Sequence, residues 1–302
     1  LFMVLSVMKN RKRIDEAMEK KQIQTNPFGT APQTVTRVGL GGEGVLRTTG
    51  RFEEADEVID AACLQGITYF DSARVYSDSE LYYGRKWKSD PKQRSRVFQT
   101  SKSASRDKKG AQKDLEESLK RLETDYLDLW QIHDVRTMQD LETIEGPGGA
   151  LEAFLEARQQ GKVRFIGVTG HHDPDVLTRA VRQWPVDSVM MPVNPVEEIL
   201  GGFLTQTLPA ALEKKIAVIA MKILGGGHYV APHLGVTPEL LLRYALGKAI
   251  TVAIVGCSGI TEVKTLVDAG CNAQPLEKIE LGKLLAPFRE NARQLAFYRG
   301  VI

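Results

Sequence analysis

Asp71, Tyr76, Lys102 and His133 have the types and spacing of a proton-transfer site. Asp71 ends the short apolar-aromatic run Gly66-Ile-Thr-Tyr-Phe-Asp71, and Tyr76 follows in what reads as a loop. Lys102 ends Val97-Phe-Gln-Thr-Ser-Lys102, and His133 ends Leu127-Asp-Leu-Trp-Gln-Ile-His133. A carboxylate closing a buried run needs a cationic or hydrogen-bonding partner, because an unpaired buried charge is too costly. A free phenol titrates near ~10, so a tyrosine is a poor acid until a nearby cation favours its phenolate. Lys102 is expected to be that cation, Asp71 to hold the ammonium, and His133 to donate to or orient an oxygen. The chemistry this suits is protonation of a carbonyl oxygen by Tyr76. With no nucleophile or metal in the set, the electrons must come from elsewhere, and hydride from a nicotinamide cofactor is the natural source.

These side chains converge only if their runs are neighbouring strands ending at one edge. Strand-like runs are expected at residues 38–42, 67–71, 97–102, 127–133, 163–168, 187–193, 216–222 and 251–256. Between them fall helical patterns at residues 53–64, 79–87, 108–122, 148–160, 173–183, 204–214 and 237–246. Another follows at 261–268, and further helix is expected over 276–294. Glycine closes several helices, and Thr237-Pro238 opens one with an N-cap and a first-turn proline. Eight strands alternating with eight helices predict an α/β fold, a closed (β/α)8 TIM barrel whose site lies at the carboxyl edge of the strands. An open doubly wound sheet would want Gly-x-Gly-x-x-Gly opening a helix. Val38-Gly-Leu-Gly-Gly-Glu-Gly44 has the glycines at the wrong spacing.

The chain has 302 residues, of which 42% are hydrophobic and 26% charged. One barrel of about 250 residues accounts for most of it. Residues 1–34 read as an N-terminal extension and residues 35–302 as the barrel domain. The net charge of +2 is spread along the chain, which argues against a nucleic-acid groove or an anionic membrane surface. No apolar run approaches the ~20 residues needed to span a bilayer. The apolar start precedes its basic residues, the reverse of a secretory signal. Cys63, Cys257 and Cys271 are too scattered for a disulfide framework or zinc site. A cytoplasmic protein is expected, acting on a small molecule, with its oligomeric state open.

From about Arg37 onward the chain resembles the aldo-keto reductases. The carrying motifs are the 66–76 stretch, Ser101-Lys102, Asp125-Tyr-Leu-Asp-Leu-Trp-Gln-Ile-His133 and Gly161-Lys-Val-Arg-Phe-Ile-Gly-Val168. The resemblance implies a barrel, NADPH- or NADH-dependent reduction of a small carbonyl substrate, and Asp71, Tyr76, Lys102 and His133 as the catalytic tetrad. It also implies a cofactor set of Thr169, Gly170, Met190, Met221, Lys222, Leu224, Gly225, Gly256, Cys257, Ser258 and Glu262. Several of these depart from the family pattern. Gly170 stands where an asparagine is usual, Met190 where a glutamine is usual, and Met221 where an aromatic commonly stacks on the nicotinamide. Glu262 falls where an arginine often meets the 2′-phosphate, with Lys264 two residues on. NADH is therefore expected to be accepted at least as well as NADPH.

Two rivals remain at this stage. A metal-dependent barrel hydrolase would use His133, Asp134, His171 and His172, although the early strand-end histidine pair of such barrels is absent. A non-enzymatic regulatory subunit would keep the barrel and the cofactor as a sensor. Arg74 and Arg136 border the expected pocket and are candidates for an acidic substrate group. Trp130, Tyr82 and Tyr83 read as packing residues. Specificity is expected in the loops at residues 43–51, 134–148 and 225–232.

Overall fold

The computed structural model describes residues 22–300. Most of the N-terminal extension expected at residues 1–34 lies outside them. An antiparallel hairpin comes first, β1 (Thr25–Pro27) and β2 (Thr34–Thr36). Eight strands then close into a barrel: β3 (Val38–Gly44), β4 (Tyr69–Phe70), β5 (Phe98–Ser103), β6 (Leu127–Ile132), β7 (Val163–Thr169), β8 (Ser188–Pro192), β9 (Ala217–Met221) and β10 (Val252–Cys257). Each pairs in parallel with its sequence neighbours, and β10 closes the ring onto β3. The (β/α)8 expectation is met strand for strand.

Alternation sorts the side chains of each strand between two cores. On β5, Phe98 points into the barrel, whereas Gln99 accepts from Trp87 Nε1 at 2.9 Å and Ser101 donates to Glu80 at 2.6 Å, both outside it. On β6, Leu129 points in, while Trp130 points out and stacks on Phe154 with ring centres 3.6 Å apart. Tyr82 and Tyr83 are fully buried in the outer core. Phe28 enters the barrel interior from the hairpin turn, its ring 4.7 Å from Phe98 and 5.1 Å from Phe165. The next residue must be glycine. Gly29 has φ of 61°, and a Cβ there would sit 3.2 Å from both the Ala217 nitrogen and the Lys215 oxygen. The hairpin that caps the barrel thus spans the boundary expected at residue 34.

The outer helices that bear on the site are α1 (Phe52–Leu64), α2 (Ser79–Ser89), α3 (Pro91–Arg94) and α4 (Lys108–Arg121). After them come α5 (Met138–Glu145), α6 (Ala150–Gln159), α7 (Pro174–Gln183) and α8 (Pro195–Leu200). The rest are α9 (Leu208–Glu213), α10 (Pro238–Leu246), α11 (Ile260–Asn272), α12 (Lys278–Leu285) and α13 (Ala292–Leu295). Helix α5 occupies a segment expected to be loop. Thr137 and Asp140 form a reciprocal capping box at its start, so a local signal was present. Thr237 caps α10 as expected, accepting from the Leu240 N–H.

Candidate active site

Barrel closure brings the strand ends to one edge. Asp71 directly follows β4, Lys102 lies near the end of β5, and His133 directly follows β6. Lys102 Nζ donates to Asp71 Oδ2 at 2.6 Å and to the Ser72 carbonyl at 2.8 Å. Thr100 donates to the other carboxylate oxygen at 2.9 Å. The pair is almost fully buried. Burial pushes the Lys102 ammonium below its ordinary value, and Asp71 opposes that push.

Tyr76 sits in the loop between β4 and α2, its ring wedged among three groups. The His133 ring lies 5.6 Å away, edge to face. Lys102 Nζ stands 4.7 Å from the ring centre, and the Arg47 guanidinium carbon 4.8 Å from it. Close approach to β3 needs a bare backbone, since a Cβ on Gly42 would lie 2.6 Å from Tyr76 Cδ2. Burial, Asp71 and Glu43 raise the phenol pKa, and Arg47 pulls it down. The tyrosine is therefore a protonated donor at neutral pH. Arg47, which the sequence reading did not include, stands beside Lys102 as a second cation against the ring.

His133 is held neutral. Burial, Lys102, His171, Arg106 and Arg47 all push its pKa well below 6.5. Its Nδ1 is buried without a hydrogen bond among the described residues. The backbone beyond it is clamped: Arg106 donates to the His133 and Asp134 carbonyls at 2.8 and 2.7 Å. The Asp134 N–H donates to Thr169 Oγ1 at 2.8 Å while Asp134 holds φ of 57°. Arg47 and Arg106 were missed in the sequence because only the folded loops bring them here, and Thr100 because the β4–β5 register sets it beside Asp71.

The displaced histidine values set an acid limit on stability. Both His133 and His171 titrate below 6.5 in the folded state, burial being the leading cause. The unfolded chain takes up these protons first as pH falls through about 6.5, so stability should decline from there by at most ~1.4 kcal/mol per pH unit per group. Urea midpoints for the wild type and His133→Asn across about pH 8 to 5.5 check this. The variant should lose part of the slope; identical slopes would contradict the assignment.

The rival metal site gains no support, because among the described residues no three His, Cys, Asp or Glu side chains converge. His171 instead bridges Asp134 Oδ1 at 3.4 Å and the Tyr298 carbonyl at 3.0 Å. The C-terminal segment is strapped to this rim: Tyr298 donates to Glu197 at 2.8 Å, and Arg299 pairs with the same carboxylate. The two arginines expected to meet an acidic substrate are engaged elsewhere. Arg74 pairs with Glu117, and Arg136 with Asp134 at 2.7 Å.

The remaining strand ends carry the expected cofactor residues. Thr169 closes β7, Met221 closes β9, Cys257 closes β10, and Met190 lies in β8 and packs in the barrel interior. At Gly170 a Cβ would fit tightly, 3.2 Å from both Leu177 Cδ1 and the Val135 carbonyl. After β9, Lys222 has φ of 56° and makes no ion pair among the described residues; Leu224 follows. Gly225, Gly226 and Gly227 then run at φ of 56, 64 and 95°. Such a side-chain-free turn beside a lysine suits a pyrophosphate. Near the end of β10, Gly256 lies against the Glu43 backbone, and beyond the strand Glu262 accepts from the Ser258 N–H at 2.6 Å at the start of α11. In the barrel below, Gln131 has both amide atoms buried and, among the described residues, unpartnered, as is Ser188 Oγ. These cradles and unpaired donors fit a nicotinamide dinucleotide.

The comparisons with known proteins agree. The chain is 29% identical over 233 residues to a probable aldo-keto reductase 1 of Glycine max, covering 70% of this chain and 62% of that one. It is 26% identical over 304 residues to the L-galactose dehydrogenase of Arabidopsis thaliana, covering 86% and 94%. Among solved structures, the holo form of aldo-keto reductase AKR11C1 from Bacillus halodurans superposes with a TM-score of 0.70 at 22% identity, covering 91% and 96%. An aldo/keto reductase from Klebsiella pneumoniae, solved with NADP and acetate, does so with a TM-score of 0.70 at 23% identity, covering 89% and 96%. Because the model of the aldo/keto reductase family matches residues 37–233, well over half of its length, this chain belongs to that family.

Proposed function

We propose that this protein reduces a small aldehyde or ketone to the alcohol, with Tyr76 as the proton donor. The observation that carries this reading is the protonated Tyr76 ring set against Lys102, Arg47 and a neutral His133. NADPH or NADH, when bound, supplies hydride to the carbonyl carbon. Thr169, Met190 and Met221 would lie at its nicotinamide end; Lys222, Leu224, Gly225, Gly256, Cys257, Ser258 and Glu262 would hold the rest. His133, uncharged, donates a hydrogen bond to the carbonyl oxygen and orients it. Tyr76 gives its proton to that oxygen as negative charge develops there. Lys102 and Arg47 then face the phenolate, and Asp71 keeps the ammonium fixed without leaving a bare buried cation. The partly exposed tyrosine recovers its proton from solvent. Cys63 and Cys257 are held as thiols, which supports a reducing, cytoplasmic setting.

A screen of cofactor oxidation over reactive aldehydes and ketones tests the reaction. Turnover supports it and sets aside a purely regulatory role; no oxidation with any carbonyl, despite cofactor binding, would overturn it.

Glu262 bears on cofactor choice. Its carboxylate already occupies the Ser258 N–H and would repel a 2′-phosphate while accepting from a bare 2′-hydroxyl. NADH should therefore show a kcat/KM at least equal to that of NADPH. Glu262→Arg should shift the ratio towards NADPH by roughly tenfold or more. Strong NADPH selectivity in the wild type would contradict this.

A further inference from the structure

With Arg74 and Arg136 engaged elsewhere, the guanidinium that does stand at the proposed acid is Arg47. It ends the single 3-10 turn Val45–Arg47 that follows β3. Its Nη1 donates to Glu43 Oε1 at 2.6 Å, its one hydrogen bond among the described residues. Both side chains of that pair are 46% exposed. An ion pair so open to water adds little to stability. What it does is hold a planar cation against the face of Tyr76 while most of the guanidinium N–H donors stay unused. Of the other cations near the site, Arg106 binds backbone carbonyls and Asp140, Lys102 is sealed against Asp71, and Lys222 is the one assigned above to the cofactor.

We propose that Arg47 is a specificity-determining residue that docks a carboxylate on the substrate, a few bonds from the carbonyl that Tyr76 protonates. The inference rests on the carbonyl-reductase reading above. A substrate oxygen at the Tyr76 hydroxyl puts the remainder of a short molecule within reach of a guanidinium lying along the same ring. A carboxylate meets that fork in charge-assisted hydrogen bonds, which a neutral analogue lacks. Glu43 acts in the opposite sense: it competes for Arg47 and repels the incoming anion. The preferred substrate class is thus a short aldehydic or ketonic acid.

The test compares para-carboxybenzaldehyde with its neutral methyl ester in the wild type, Arg47→Met, Arg47→Lys and Glu43→Gln. The ratio of kcat/KM for acid over ester cancels any effect of Arg47 on Tyr76 itself, because that effect acts on both substrates. Arg47→Met should lower the ratio roughly tenfold or more, Arg47→Lys should restore part of it, and Glu43→Gln should raise it. An unchanged ratio in Arg47→Met, with both substrates slowed alike, would overturn the proposal. Calorimetric dissociation constants of the acid and the ester for the NAD(P)H-bound protein give the same comparison without turnover. If neither compound were reduced, the reductase reading would suffer, and the binding ratio would still decide the role of Arg47.

Discussion

Tyr76→Phe should lower kcat for carbonyl reduction by roughly two to four orders of magnitude, with the cofactor dissociation constant unchanged. The substitution deletes one oxygen and leaves the ring. Gly42, Arg47, Lys102 and His133 all meet that ring, so the wedge that positions it survives and the fold has no cavity to absorb. What disappears is the proton delivered to the developing alkoxide. The neutral His133 can hydrogen-bond that oxygen but is a less complete substitute, so residual turnover should remain above the uncatalysed rate. Steady-state oxidation of NADPH or NADH gives kcat, and quenching of protein fluorescence gives the cofactor affinity. A variant with full activity would remove Tyr76 from the mechanism. One that lost cofactor binding would show that the ring supports the dinucleotide instead.

Asp71 and His133 were legible because each closes a short, largely apolar run of the kind a buried parallel strand selects, and Lys102 because its run falls between theirs in the strand–helix alternation. Asp71, Lys102 and His133 could therefore be assigned to one edge before any geometry was known. The capping hairpin was not legible. Thr25–Pro27 and Thr34–Thr36 are three residues each, and Phe28 acts through a barrel interior assembled from distant strands. Arginines were the hardest case. A long flexible cation pairs with whichever carboxylate its loop presents, so Arg74 went to Glu117 and Arg136 to its near neighbour Asp134. Arg47 reached Tyr76 for the same reason, through a 3-10 turn that no periodicity announces. At Gly170, where an asparagine is usual, Val135 and Leu177 approach closely enough to make a side chain a tight fit, which no sequence pattern announces.

Asp71→Asn is expected to cost about 3–5 kcal/mol of stability as well as most of the activity, because it strips the counter-charge from a sealed lysine. Lys102 would keep the Ser72 carbonyl as its remaining partner, which is too little for a buried ammonium. Asp71 holds the Lys102 pKa up against burial, so its loss lowers that pKa further. Between the lowered folded value and the ordinary 10.5, the unfolded chain binds the extra proton, and the variant's stability should climb as pH rises through that window. Lys102→Met alone should also destabilise, since it leaves the Asp71 carboxylate buried with Thr100 as its remaining side-chain donor. Combining Asp71→Leu with Lys102→Met removes both charges at once, and replacing a buried pair by apolar groups is often neutral or stabilising. The double variant should therefore regain most of the stability lost by either single variant and none of the turnover. Urea midpoints for Asp71→Leu, Lys102→Met and their double, with Asp71→Asn beside them and read with kcat, separate the two roles. If the single variants unfolded like the wild type, the pair would not be the sealed, mutually dependent one that its geometry describes. If the double variant recovered activity with stability, the Lys102 ammonium would have no part in the chemistry of Tyr76.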